Sequence, residues 1–363
     1  MRRILGTLIA LALTAPLGSA APVHAASTAV GAQLVVGGLA FPAAFTFAKD
    51  GTIYYGERYT GKIRSYRPST GQFKDVWTIK NVVTNGEQGL LGLALHPDFP
   101  TNRYLFAYAT RNVSGTPKNQ IIRITVQNGV GSASRRIFTS QTNAGTYHDG
   151  GRILFGPDRR LYAVVGESHM PANAQNLGNN AGKILRMTGG GLRPSDNPFP
   201  NSLIWSYGHR NSFGFTFDPQ TGLIWETEAG PSCNDEINLV EKGKNYGWGP
   251  SQTCAGTAPG NTNKDGPSPV LPLAWFTPTV TPTGIAFCLS TGCGLTGAQG
   301  TAFYDEYETG VIYQMTLTGD RRGIASRVSV HDHPATVLSM ERGPDGALYF
   351  SSTDGGIYKL VQT

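Results

Sequence analysis

The chain has 363 residues, with 30 Lys and Arg against 24 Asp and Glu, 47 Gly, 23 Pro and only four Cys. Its formal charge of +6 is spread over many segments without Lys/Arg blocks, which sets nucleic-acid binding aside. The length admits either two ordinary domains or one large all-β domain, so the internal pattern has to decide.

Read from the N-terminus, Arg2 and Arg3 precede the apolar run Ile4 to Ala15, and small residues follow up to Val23-His24-Ala25, an A-x-A-like cleavage signature. Residues 1–25 are therefore expected to be a secretory signal peptide, read by the Sec route because a full twin-arginine consensus is absent. The run is shorter than the ~20 apolar residues that span a bilayer, and no later segment approaches that length. The expectation is a soluble, exported mature chain in the periplasm, cell-wall space or medium, with no membrane span. Removing Arg2 and Arg3 takes the formal charge from +6 to +4. Residues 26–36 read as an N-terminal extension and residues 37–363 as one repeat-built domain.

Within that domain an apolar, turn, aromatic unit recurs. It appears as Phe45-Thr46-Phe47-Ala48-Lys49-Asp50-Gly51-Thr52-Ile53-Tyr54-Tyr55, then around Leu93 to Asp98, Ile153 to Tyr162, Phe215 to Trp225, and Arg342 to Phe350. The marker residues Asp50, Asp98, Asp158, Asp218 and Asp345 are spaced so that one unit is missing before the last, and a divergent unit around Ile285 to Met315 fills the gap. Each unit reads as short β-branched and aromatic runs joined by Pro-Asp-Gly type turns. Six all-strand repeats of this length predict a six-bladed β-propeller, because isolated blades cannot bury both faces and stack radially to do so. The residues after the signal, or Gly355 to Val361, are candidates for a blade shared by both termini. A two-sheet sandwich is the alternative.

An even cysteine count in an exported chain favours disulfides. Proximity suggests Cys233 with Cys254 and Cys288 with Cys293, although three connectivities are formally open. The spacings lack the paired C-x-x-C form of a zinc site.

Polar residues crowd where no core would place them, above all between Gly208 and Gly249. His148 sits in a glycine-rich turn before the strand Ile153 to Phe155, where it would face a channel mouth and could take a proton from an alcohol. Arg210 and Asn211 precede another repeat strand and should emerge on the same rim, the Arg suited to a carboxylate or a developing oxyanion. The Gly230 and Pro231 carbonyls after the strand ending at Thr227 suit Ca²⁺, as do the Glu236 carboxylate and the Tyr246 main chain. His96 reads as a turn cap and His209 as a loop-orienting residue, while His331 and His333, beside Asp332, could bind a metal but read first as a solvated pair in an exposed loop.

Four ordered motifs carry a resemblance: Glu87-Gln88-Gly89-Leu90-Leu91-Gly92 continuing to Phe99, His148-Asp149-Gly150-Gly151-Arg152, Gly208-His209-Arg210-Asn211, and Asp235-Glu236-Ile237-Asn238-Leu239 with Asn245-Tyr246-Gly247-Trp248. Over about residues 37 to 360 the chain resembles the soluble glucose/sorbosone dehydrogenase family, which includes aldose sugar dehydrogenases dependent on pyrroloquinoline quinone and built as six-bladed propellers. The resemblance implies oxidation of a sugar's C1 hydroxyl, with His148 as base, hydride passing to the quinone, and an external electron acceptor beyond it. It implies Arg210, Asn211, Glu87 and Thr279 as cofactor-binding residues, Gly230 and Pro231 as ligands of one Ca²⁺, and Glu236 with Tyr246 as ligands of another.

The chain departs from the family pattern at Ala229, where Gln or His precedes Gly-Pro, and at Glu87, where Gln is common. Glu308 stands where a basic residue is expected, and Thr336 and Leu338 fall in the stretch where Arg-x-Arg-Asp is expected. The quinone carries three carboxylates, and each lost charge-assisted contact would forfeit roughly 1.5 to 3 kcal/mol. Arg321, Arg322 and Arg342 are candidates for compensation. Two functions follow from different classes: a quinone- and Ca²⁺-dependent sugar dehydrogenase, or a catalytically silent exported propeller that binds carbohydrate or protein. A third, a Ca²⁺-dependent lactonase, shares the histidine and the metal.

Overall fold

The structure is a computed structural model that describes residues 29–363; the signal-peptide reading, residues 1–25, lies outside the described residues. After β1 (Val30–Val36) the chain forms six four-stranded antiparallel sheets. The first holds β2 (Pro42–Phe47), β3 (Ile53–Glu57), β4 (Lys62–Arg67) and β5 (Gln72–Thr78). The second holds β6 (Leu90–Leu95), β7 (Tyr104–Val113), β8 (Thr116–Gln127) and β9 (Val130–Thr139). The third holds β10 (Ile153–Phe155), β11 (Leu161–Val165), β12 (Lys183–Met187) and β13 (Ile204–Tyr207), with the single helical turn α1 (Ala172–Gln175) in the β11–β12 connection. The fourth holds β14 (Ser212–Phe217), β15 (Ile224–Glu228), β16 (Asp235–Val240) and β17 (Ala274–Phe276). The fifth holds β18 (Pro282–Phe287), β19 (Ala302–Glu306), β20 (Val311–Leu317) and β21 (Ile324–Asp332). The sixth holds β22 (Val337–Arg342), β23 (Leu348–Ser352) and β24 (Ile357–Gln362), and β1 completes it.

This is a six-bladed β-propeller. Leading strands of adjacent blades pack side by side, β2 against β6 and β22, and β18 against β14 and β22. The ring closes through β1, which pairs antiparallel with β24 from Val30↔Gln362 onward, so residues within the 26–36 segment form the outermost strand of the last blade. Closure of this kind removes the open edge between first and last blade. Among the described residues no helix is long and apolar enough to cross a membrane.

The repeat markers are hairpin devices. Asp50, Asp158, Asp218 and Asp345 each accept, through Oδ1, the backbone N–H two residues on, which closes the turn between the first and second strands of their blades. Asp98 occupies the same turn in the second blade, where its N–H donates to His96 Nδ1 at 3.1 Å. In the fifth blade that turn is replaced by the longer loop 288–301, cross-linked by Cys288–Cys293, which is why the repeat looks divergent there. Cys233–Cys254 forms as well. Hydrophobic clusters lie between successive blades, such as Leu90, Leu105 and Ile124 with Ala44 and Ile63. His331 and His333 are not a solvated loop pair: they flank the end of β21, His333 is buried, and its ring lies 4.9 Å from that of Phe350.

Candidate active site

Antiparallel blades bring two kinds of loop to the same rim: those entering each innermost strand, and those joining the second strand to the third. On this rim they enclose a cavity of about 430 Å³. Glu87, His148, Arg210 and Asn211 enter from loops preceding innermost strands, while Arg58, Gly230 and Glu308 come from second-to-third-strand loops. Hydrogen bonds between residues of this one cavity thus span as many as 186 positions in sequence.

His148 is held at its backbone N–H, at its ring and at its carbonyl, which accepts from the Ser168 N–H at 3.0 Å. Its N–H donates to Glu87 Oε2 at 2.8 Å, and the same carboxylate oxygen accepts from Asn211 Nδ2 at 2.9 Å. Its Nδ1 lies 2.7 Å from Glu167 Oε1. A carboxylate only accepts, so Nδ1 carries the proton and Nε2 is left as the basic nitrogen. Glu167 is fully buried and fixed in turn by the Met170 N–H at 2.7 Å. His148 adopts a left-handed φ of 64°, and Gly166 lies so close beneath it that a Cβ there would run into the His148 carbonyl. The strained conformation is over-determined by these contacts.

Arg210 lies beside this base. Its Nη1 donates to the Ala229 carbonyl at 2.7 Å, its guanidinium sits 5.3 Å from the Trp248 ring, and its Nε is buried without a partner. Burial lowers its proton affinity, and the carboxylates of Glu167 and Glu228 oppose that shift. Glu228 anchors the loop from behind, accepting from the Arg210 N–H and facing His209 Nδ1 at 3.1 Å. His209 is fully buried, 3.2 Å from Glu226 and stacked at 4.7 Å on Tyr246. Burial alone would lower its pKa, but Glu226 and Glu228 override that and hold it at about 10, so it is an imidazolium neutralising two carboxylates.

The cation candidates divide. Among the described residues no backbone donor reaches the Gly230 or Pro231 carbonyls, and of the two only Gly230 lines the main cavity. Their loop is pinned to the next blade by Asp235, which accepts from Gly230 N at 2.6 Å and from Val280 N and Thr281 N. Glu236 faces a void of about 10 Å³, large enough for one water or ion, together with Glu228, Gly230, Asn234 and Asn263. Burial and the Glu228 carboxylate push Glu236 well above its ordinary pKa, a cost that a bound cation would relieve. Tyr246 does not line that void, and its carbonyl already accepts from Asn263 Nδ2 at 2.8 Å. Thr279 does not line the main cavity either; Thr281 and Thr283 of the same segment do.

The cavity's charge is mixed. Glu308 and Leu338 line it, as expected from the sequence, whereas Thr336 does not. The proposed compensating arginines are elsewhere: Arg321 pairs with Asp218 and Arg322 with Glu241, while Arg342 donates to the Phe287 carbonyl. Arg58 and Arg152 supply cationic charge at the cavity instead. Arg58 donates to the Gly86 and Gln88 carbonyls on either side of Glu87, and Arg152 donates to the Phe213 carbonyl at 3.2 Å. A flat, multiply charged quinone therefore fits the side formed by His148, Arg210 and Asn211, with the orphaned Arg210 Nε and the free carbonyls as the fitting groups. The opposite wall offers it Glu308 and an apolar Leu.

Sequence reading did not single out Glu167 or Arg58. Both belong to a recurring signal, a Glu at or just beyond the end of a blade's second strand: Glu57, Glu167, Glu228 and Glu306, with Arg58 directly after the first of them.

A sequence profile described as Glucose / Sorbosone dehydrogenase matches residues 39–359. A Thermus thermophilus oxidoreductase of glucose dehydrogenase type superposes with a TM-score of 0.80 at 31% identity, covering 92% of this chain and all of that one. The quinone-bound aldose sugar dehydrogenase of Streptomyces coelicolor does so at 0.78 and 27%, covering 92% and 98%. An aldose sugar dehydrogenase of Escherichia coli is 27% identical, covering 90% of each chain. With its six blades, its four motifs and a match running almost end to end, the chain belongs to the glucose/sorbosone dehydrogenase family.

Proposed function

We propose that the protein is an exported oxidoreductase that oxidises an aldose at C1 to the lactone, using pyrroloquinoline quinone and Ca²⁺, with an external electron acceptor regenerating the cofactor. The observation that carries this reading is the convergence of a base held by a buried carboxylate, His148 with Glu167, and a buried arginine with an unused donor, Arg210, on one cavity. Export is supported by the N-terminal pattern and by the two disulfides.

The quinone, when bound, supplies the hydride acceptor, and Ca²⁺ supplies Lewis-acid polarisation. His148 Nε2 takes the proton of the anomeric hydroxyl as the C1 hydride leaves, and the carboxylate on Nδ1 stabilises the imidazolium so formed. Asn211 and Glu87 hold the His148 backbone in register. Arg210 places a fixed positive charge where negative charge develops on oxygen, in a site whose burial strengthens it. Gly230 and Pro231 would hold the Ca²⁺ at the cavity, and Glu236 with Glu228 a second cation behind it.

A specific observation favours a second reading, a silent propeller that binds carbohydrate or protein: Glu308 and Leu338 line the cavity, and they fall where the family resemblance implies basic residues. Reconstitution separates the two. The mature protein is loaded with quinone and Ca²⁺, and aldose-dependent reduction of an artificial dye is followed. Turnover that disappears in His148→Ala while the cofactor's absorbance remains bound supports the dehydrogenase. Absence of both cofactor absorbance and turnover at saturating quinone leaves the binding reading, and hydrolysis of a lactone without quinone points to the lactonase.

A further inference from the structure

A cleft of about 680 Å³, larger than the candidate active site, opens between the first and second blades. Its walls are the turns β2–β3, β4–β5, β6–β7 and β8–β9, which lie at the strand ends opposite those that build the active site. Lys49, Arg67, Lys74 and Arg103 line it, against the single carboxylate of Asp50. That carboxylate is taken by Arg67 at 2.9 Å. Lys74 reaches from β5 across to the Asn128 carbonyl of the second blade at 3.3 Å, and Arg103 adds a cation from that blade's own wall. The nearby Asp98 faces Arg159.

Two further features mark the cleft as built. Arg103 holds a left-handed φ of 59°, a conformation a Gly or Asn would take more cheaply, and its carbonyl is locked by the Val126 N–H at 2.8 Å. Tyr54, Phe99 and Val126 form a buried floor, and such low-dielectric walls strengthen the field of the cations above them.

We propose that this cleft is an anion site distinct from the oxidising cavity and that it takes an oligophosphate. Cations presented from both walls exceed what one carboxylate needs, and ammonium and guanidinium groups both match phosphate oxygens. The same chemistry is offered by a free oligophosphate and by phosphates repeated along a polymer.

The test titrates the mature protein with sodium tripolyphosphate by calorimetry at low ionic strength, and compares it with the triple variant Lys49→Gln, Lys74→Gln, Arg103→Gln. Saturable binding that weakens with added NaCl is expected. The triple variant should lose about tenfold or more in affinity while keeping its thermal midpoint, since three exposed contacts are removed. Arg58→Gln, in the other cavity, should leave the affinity unchanged. Long-chain polyphosphate binding more tightly per phosphate identifies a polymer ligand, and equal affinity identifies the free oligophosphate. No saturable binding, equal binding by the triple variant, or loss in Arg58→Gln overturns the proposal.

Discussion

Replacing His209 by Ala tests whether the rim behind Arg210 is held by a buried imidazolium. The substitution leaves Glu226 and Glu228 side by side, both buried, with no cation between them. A rise in the His209 pKa from 6.5 to about 10 corresponds to a ceiling of about 5 kcal/mol. Breaking a buried pair by removing one partner costs roughly 3 to 5 kcal/mol, so the two routes agree. Because the folded-state pKa is raised, the stabilisation is complete below the unfolded value of 6.5 and is lost as pH rises through about 10. Urea unfolding of wild type and variant at pH 7.5 should therefore differ by about 3 to 5 kcal/mol, and the gap should shrink by pH 10.5. A gap below about 1 kcal/mol at pH 7.5, or one that is the same at both pH values, would refute the charged-histidine account.

Glu167→Gln removes the charge on the His148 Nδ1 partner and allows the amide to donate to that nitrogen, which would tie up the wrong tautomer. In the reconstituted enzyme kcat should fall by about tenfold or more with quinone affinity unchanged, measured by steady-state dye reduction and cofactor titration; an unaltered kcat removes Glu167 from its positioning role. Glu308→Arg reverses an exposed charge on the cavity wall, so the quinone Kd should tighten by about tenfold, and an unchanged Kd would mean that the cofactor's carboxylates do not face that wall.

Much of the architecture was legible because it is local. An Asp closing its own turn two residues on is written in a few adjacent letters, and it recurs at Asp50, Asp158, Asp218 and Asp345 whatever the rest of the blade does. Cys233–Cys254 and Cys288–Cys293 likewise followed from proximity along the chain. His148, Arg210 and Asn211 could be picked out because each sits in a glycine-containing loop at the mouth of an apolar strand.

What the chain could not reveal in one dimension are contacts between blades. Glu87 bonds Asn211 across 124 residues, and the Arg58 guanidinium wraps the backbone on either side of Glu87 from the neighbouring blade. The same holds for charge. By composition Arg321, Arg322 and Arg342 were as available as Arg58, yet the first two end in pairs with Asp218 and Glu241 outside the cavity, while Arg58 and Arg152 line it. The sequence by itself determined the repeat, its turns and the rim candidates His148, Arg210 and Asn211, because those are written in neighbours a few positions apart, whereas Glu167 and Arg58 were not legible in it. Only the tertiary structure decided which charges share the cavity and which lie in the cleft on the opposite face, because antiparallel pairing within each blade sends alternate strand ends to opposite faces and ring closure brings distant blades into contact.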